Sequence, residues 1–204
     1  EALLGLQDHV RGSIRLDGEE LVGRRVRQIL DVGVGFVPED RSVDGLVKEF
    51  SISENLMLDR SFGGEFVSAG TVRRGALDEF ARAKIAEFDI RTQGPAQAAG
   101  RLSGGNQQKV VLARELSRDL ALFVAAQPTR GVDVGSIEFI HKRIIDTRDA
   151  GVPVIVISTE LDEVAALADR ILVMYRGRVV GIVPGNTPRD QLGLMMAGMN
   201  GESA

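Results

Sequence analysis

Two uninterrupted apolar runs, Leu120 to Ala126 and Val152 to Ile157, limit the folds open to this chain more than any other feature. A strand that alternates apolar and polar residues rests one face on a core. A run without polar interruption must be covered on both faces, which is the mark of a buried parallel strand. Between the runs, Ile137 to Arg148 is patterned as a helix, and beyond them Leu161 to Ala168 predicts another helix before a further strand, Ile171 to Met174. Strand, helix, strand, helix, strand at this spacing predicts an α/β fold on a parallel sheet, with ligands expected at the carboxyl ends of the strands.

The remaining segments decorate that alternation. Gly12 to Gly18 alternates apolar and polar residues and closes on Asp17-Gly18, predicting an exposed antiparallel strand and turn. Val22 to Leu30 reads as a short arginine-rich helix, and Gly33 to Val37 as an apolar strand stopped by Pro38. Ser61 to Thr71 is glycine-rich and is expected to be an exposed loop. Thr71 to Phe88 carries Leu77, Phe80, Ile85 and Phe88 at helical spacing, and Gln93 to Gly100 reads as a linker. Arg176-Gly177 turns the chain into a hairpin with Arg178 to Val183, and Thr187 as N-cap with Pro188 at the first helical position opens a last helix that Gly198 stops. Glu1 to Leu6 resembles the last turns of a helix ended by Gly5, so the chain is expected to be a piece of a longer one.

Composition excludes several classes. A length of 204 residues buries a substantial core, as one domain or one domain with a small subdomain. A net charge of −4 argues against nucleic acid as partner, and the absence of cysteine excludes disulfides and thiolate metal sites. No apolar run reaches the roughly 18 residues of a membrane span.

Ser103-Gly104-Gly105 opens another helix, with Leu102, Val110, Leu112, Ala113 and Leu116 spaced for one buried face. A helix that starts this way offers unpaired N–H groups and the positive end of its dipole to an anion. Ser-Gly-Gly alone is also the start of many ordinary capped helices. The longer string, Leu102-Ser103-Gly104-Gly105-Asn106-Gln107-Gln108-Lys109, closely resembles the signature motif of the ATP-binding cassette (ABC) ATPases. Its Asn-Gln-Gln-Lys ending is similar to the ATPases of bacterial simple-sugar and nucleoside importers. Glu1-Ala2-Leu3-Leu4-Gly5-Leu6, Pro38-Glu39-Asp40-Arg41, Asp44-Gly45-Leu46-Val47 and Ser53-Glu54-Asn55-Leu56 match the same family, and the resemblance runs from Glu1 to about Gly198.

The resemblance implies both what is present and what is missing. The phosphate-binding loop would lie upstream of Glu1; none of the four lysines, Lys48, Lys84, Lys109 and Lys142, follows a glycine. Where the family reads Asp-Glu-Pro-Thr, for Mg²⁺ and for the attacking water, this chain reads Ala126-Gln127-Pro128-Thr129. Ala126 cannot ligate a metal and Gln127 offers no base. Thr159 stands at the switch-histidine position, while His9 and His141 read as surface or packing residues. Glu39 occupies the Q-loop position, where its carboxylate fits either a metal-bound water or a solvated loop charge. Asp133 matches the D-loop aspartate.

The resemblance thus implies the second, C-terminal cassette of a two-cassette importer ATPase, truncated after its P-loop. Its partial α/β core would comprise 1–38 and 102–204, and a helical subdomain with linker 39–101. Ser103, Gly104, Gly105 and Gln107 are expected to close on the γ-phosphate of ATP held by the N-terminal cassette. The cassette's own site is expected to be degenerate, to hold no metal and to bind no nucleotide alone; ATP and Mg²⁺ belong to the intact subunit. Expected partners are the N-terminal cassette, membrane permease subunits and, indirectly, a substrate-binding protein, at the cytoplasmic face of the bacterial inner membrane. Ile137 to His141 and Leu161 to Val164 look more like the nucleoside branch than the ribose branch. The alternatives are a non-catalytic interaction module and a non-transport ABC protein, which would be expected to retain the acidic pair and carry basic or coiled-coil insertions. An unfilled place in the sheet predicts an exposed apolar patch, with association or disorder of Glu1 to Gly12.

Overall fold

The computed structural model describes residues 1–60 and 64–199, so the first three residues of the expected 61–71 loop lie outside the described residues. The chain divides into two compact units, Glu1–Ile155 and Val156–Ala204.

In the first unit, a 3₁₀ turn over Ala2–Leu4 ends at Gly5 in the left-handed region, as the sequence predicts. It is not loose: Leu4 is buried with Ile29, Val34, Leu122 and Val124. Strands β1 (Arg15–Leu16) and β2 (Glu19–Glu20) form a hairpin across Asp17 and Gly18, at φ 50° and 85°. Two left-handed residues give the twist that a two-residue hairpin needs, which is why Asp-Gly is a strong signal. Helix α1 (Val26–Asp31) follows, then β3 (Val34–Val37) and a π-helical turn over Arg41–Gly45. Helix α2 (Ile52–Met57) starts at Ser51 with a reciprocal cap: Glu54 N–H donates to Ser51 Oγ, and Ser51 N–H donates to Glu54 Oε2.

The expected 61–71 loop is corrected within its described part. Val67–Ser68 (β4) and Thr71–Val72 (β5) pair antiparallel around Ala69-Gly70, at φ 47° and 76°. That turn has the same backbone as Asp17-Gly18 but lacks its side-chain signal. Helix α3 (Arg74–Glu87) follows.

Helix α4 (Gly104–Glu115) differs from its sequence pattern. One buried face was expected, yet every residue from Gln107 to Glu115 is buried. α2, α5 (Val134–Asp149) and β3 all pack against it. Its charged residues tolerate this because each finds a partner, without which a buried charge would cost several kcal/mol. Lys109 Nζ meets Asp89 O and Oδ2 at 2.8 and 3.0 Å. Arg114 donates to Glu115 at 2.8 Å and to Gly45 O at 2.8 Å. Glu115 accepts from Phe36 N at 3.2 Å.

The parallel sheet has the order β3-β6-β7, with β6 at Leu122–Ala126 and β7 at Val154–Ile157. β3 and β6 pair in register, Val34 with Leu122 through Val37 with Ala125. β6 is covered on both faces, as its apolar run requires. β7 is an edge strand and leaves Ile155 and Ile157 at 42% and 53% exposure.

The second unit contains α6 (Leu161–Leu167), β8 (Arg170–Tyr175), β9 (Arg178–Pro184) and α7 (Arg189–Met196). β8 pairs antiparallel with β9 in a separate sheet, so the third strand of the alternation is not part of the parallel sheet. Arg176-Gly177, at φ 46° and 75°, brings the two strands together. One face of the hairpin buries Ile171 and Val173 against Leu192 and Met195. The other carries the cross-strand pairs Leu172–Ile182 and Met174–Val179, all exposed. α7 begins one residue later than expected, with Pro188 as its cap, because the Thr187 hydroxyl donates to Pro184 O at 2.8 Å.

Candidate functional site

The head of α4 is assembled from its own first residues and two neighbouring turns. A 3₁₀ turn over Ala99–Arg101 delivers Leu102 and Ser103 in extended backbone, and Ser103 caps the helix. A Cβ on Gly104 would lie 2.5 Å from Arg41 Nη2 and 2.9 Å from Gly131 O. One on Gly105 would overlap Ser136 Oγ and come within 2.6 Å of Asp133 Oδ2. These glycines therefore serve the protein's own packing, Gly104 half-buried and Gly105 buried. Sequence reasoning saw them only as leaving the N-terminal amides open to an anion.

Arg41 bridges the turns. Its Nη1 donates to Arg130 O at 2.6 Å and its Nη2 to Gly131 O at 3.0 Å. Glu39 is exposed and ion-paired with Arg130. The segment 39–41 is thus fastened to the turn after β6. Asp133 caps α5, accepting from Ser136 N at 3.0 Å and Ser136 Oγ at 2.8 Å. Those bonds hold its carboxyl below the usual carboxylate range.

Gln107 faces inward. Its buried carboxamide donates to Ala99 O and Leu102 O at 3.3 and 3.2 Å, bracing the turn beneath Ser103. Asn106, to which the sequence reading gave no separate role, links Ser103 to Arg91. Of the named residues, the structure therefore gathers Ser103, Gly104, Gly105 and Asp133 at the head of α4, with Arg41 beside them, Gly105 buried against Ser136, and Gln107 buried below. Arg41 and Asn106 were missed because their partners are distant in sequence. A residue three positions after an N-cap serine is the one available signal for Asn106.

The carboxyl end of β6 shows the opposite condition. Ala126 offers a methyl group, and Gln127 is held at φ 48°, a region sparsely populated by residues other than glycine. This donor set does not fit Mg²⁺, which takes hard oxygen ligands. Among the described residues there is no group of three or more His, Asp or Glu side chains able to hold a metal. Thr159 is exposed and belongs to the second unit.

Residues 1–130 match the family model described as ABC transporter. The chain is an ABC transporter ATPase domain. The domain is 42% identical to the guanosine import ATP-binding protein NupO of Bacillus subtilis, over all of this chain and 40% of that protein. It is 44% identical to the nucleoside import ATP-binding protein NupA of Lactococcus lactis, over 98% of this chain and 40% of that one. The glucose import ATP-binding protein TsgD13 of Haloferax volcanii is 43% identical, over 97% of this chain and 36% of its own length. The domain spans about two-fifths of the length of these relatives. Among solved structures, a dimeric ATP-binding cassette in a post-hydrolysis state with ADP and Pi superposes with a TM-score of 0.70 at 19% identity, covering 87% of this chain and 75% of that one. That likeness shows the fold: a parallel sheet with helices and small antiparallel sheets.

Proposed function

We propose that this ABC transporter ATPase domain is the second cassette of a two-cassette ATP-binding subunit that energises import of a nucleoside or simple sugar. In this reading it supplies its signature residues to ATP held by the N-terminal cassette. The observation that carries the reading is the contrast between its two ends of chemistry. The head of α4 is fully built, whereas the end of β6 carries Ala126 and Gln127 where phosphoryl-transfer chemistry needs carboxylates. A domain so made can contact another cassette's nucleotide and has little with which to activate its own.

When bound, ATP with Mg²⁺ supplies the phosphoryl group whose transfer drives the subunit. This chain's residues bind and orient it. The Ser103 hydroxyl and the amides of Gly104 and Gly105 would hold the γ-phosphate, aided by the helix dipole. Gln107 supports the turn from below, Asp133 lies at the rim, and Glu39 works through Arg130 rather than on a metal. The subunit docks on membrane permease subunits at the cytoplasmic face of the bacterial inner membrane, and a substrate-binding protein acts through them. Relatives named for guanosine, nucleoside and glucose import at similar identity support the substrate class as a whole.

Ser103→Arg in the two-cassette subunit puts a bulky cation where the hydroxyl must approach, and it is expected to abolish substrate uptake into cells. Unchanged uptake would overturn the reading. Mg-ATP titrated calorimetrically into this chain alone is expected to show no saturable heat. Clear saturation would mean that the end of β6 is not the degenerate site described.

A further inference from the structure

We propose that Asn106 is a positioning residue that fixes the direction in which the Ser103 hydroxyl donates its proton. The proposal rests on the reading above, in which Ser103 meets a phosphate oxygen of nucleotide on a partner cassette.

The chain of constraints begins at Arg91. Its backbone N–H, which can only donate, lies 2.8 Å from Asn106 Oδ1. That bond decides which way the carboxamide faces, since the turned-over amide would set donor against donor. Nδ2 is then aimed at Ser103 Oγ, at 2.8 Å. The Asn106 backbone N–H approaches the same oxygen at 3.5 Å as the helix cap. A hydroxyl has two acceptor lone pairs and one proton to donate. With both lone pairs turned to Asn106, the proton must point elsewhere. Among the described residues the Ser103 hydroxyl donates to no protein atom, and the residue is exposed.

Arg91 is itself well placed to set this direction. The loop it follows is held to α4 by Lys109, through Asp89 O and Oδ2. The reference donor and the serine it orients are therefore anchored to the same helix. An anion arriving at Ser103 meets a proton rather than a lone pair, with no reorientation required at the moment of contact.

The test is a double-mutant cycle on steady-state ATP hydrolysis by a two-cassette polypeptide carrying this domain, with thermal unfolding recorded for every variant. Ser103→Ala is expected to lower kcat by about 10-fold or more, below the full effect of an oxyanion-hole donor. Asn106→Ala is expected to lower it by roughly 3- to 10-fold, and the double variant to match Ser103→Ala within about twofold, because Asn106 acts only through Ser103. Additive losses would overturn the proposal. Asn106→Asp keeps the shape and the bond from Arg91 but replaces the second donor with an acceptor, drawing the Ser103 proton inward. It is expected to be slower than Asn106→Ala at neutral pH and to regain activity as the pH falls and the introduced carboxyl protonates. A variant at wild-type rate with a wild-type pH profile would also overturn the proposal. If Ser103→Ala itself hydrolyses ATP like wild type, the failure lies in the underlying reading of the signature.

Discussion

At the scale of single residues, Gly105 is specified by what stands opposite it. A methyl group there would overlap Ser136 Oγ and press on the cap of α5. Gly105→Ala is expected to destabilise the domain by about 1–3 kcal/mol, the usual range for forced overpacking, as a fall in the urea midpoint. Gly75, in α3, has open space around its missing Cβ. Gly75→Ala should instead raise stability, by up to about 1 kcal/mol. If both changes moved the midpoint in the same direction, the packing account of Gly105 would be wrong. The contrast shows where sequence reading stops. Ser103, Gly104 and Gly105 were legible because a cap and two glycines form a local pattern. Arg41 and Asn106 were not, because what gives them meaning is Arg130 O, Gly131 O and Arg91 N, each distant along the chain.

At the scale of elements, α2 depends on its reciprocal cap. Ser51→Ala is expected to cost about 1 kcal/mol at neutral pH in a denaturant titration. The Ser51 hydroxyl and backbone N–H hold the Glu54 carboxyl below its ordinary value of 4.5. A carboxyl depressed in the folded state stabilises above its unfolded pKa, and that contribution is lost as pH falls through the folded value. The cost of Ser51→Ala should therefore be smaller at pH 3 than at pH 7; an equal or larger cost in acid would contradict the assignment. Hairpins show which elements were readable. Asp17-Gly18 and Arg176-Gly177 were recognised as turns, whereas Ala69-Gly70 adopts the same left-handed pair with an alanine at its first position, which gives no turn signal. α4 misled in another way. Its periodic apolar residues suggested one buried face, because periodicity cannot show that Lys109, Arg114 and Glu115 find partners from other segments.

At the scale of the whole molecule, the alternation of strands and helices and the buried character of β6 were legible from the apolar runs alone. The separation of β8 into an antiparallel pair was not, since a short apolar strand reads the same in either sheet. The consequence is a hairpin that is apolar on both faces, only one of which is covered by α7. An uncovered apolar face of this kind promotes association. The chain is expected to sediment with a concentration-dependent increase in size. Leu172→Lys with Ile182→Lys should suppress that increase while leaving the unfolding midpoint nearly unchanged. Sedimentation velocity across a dilution series decides it: association that survives both lysines must arise from another surface.

The enclosure of α4 has a consequence in time as well as in space. Amide protons from Gln108 to Glu115 sit in a helix buried throughout that stretch, so they can reach solvent deuterium only when the surrounding unit opens. They should be among the slowest to exchange in the first unit, while the free edge of β7 exchanges early. The serine that faces outward is thus mounted on one of the last parts of the unit to breathe.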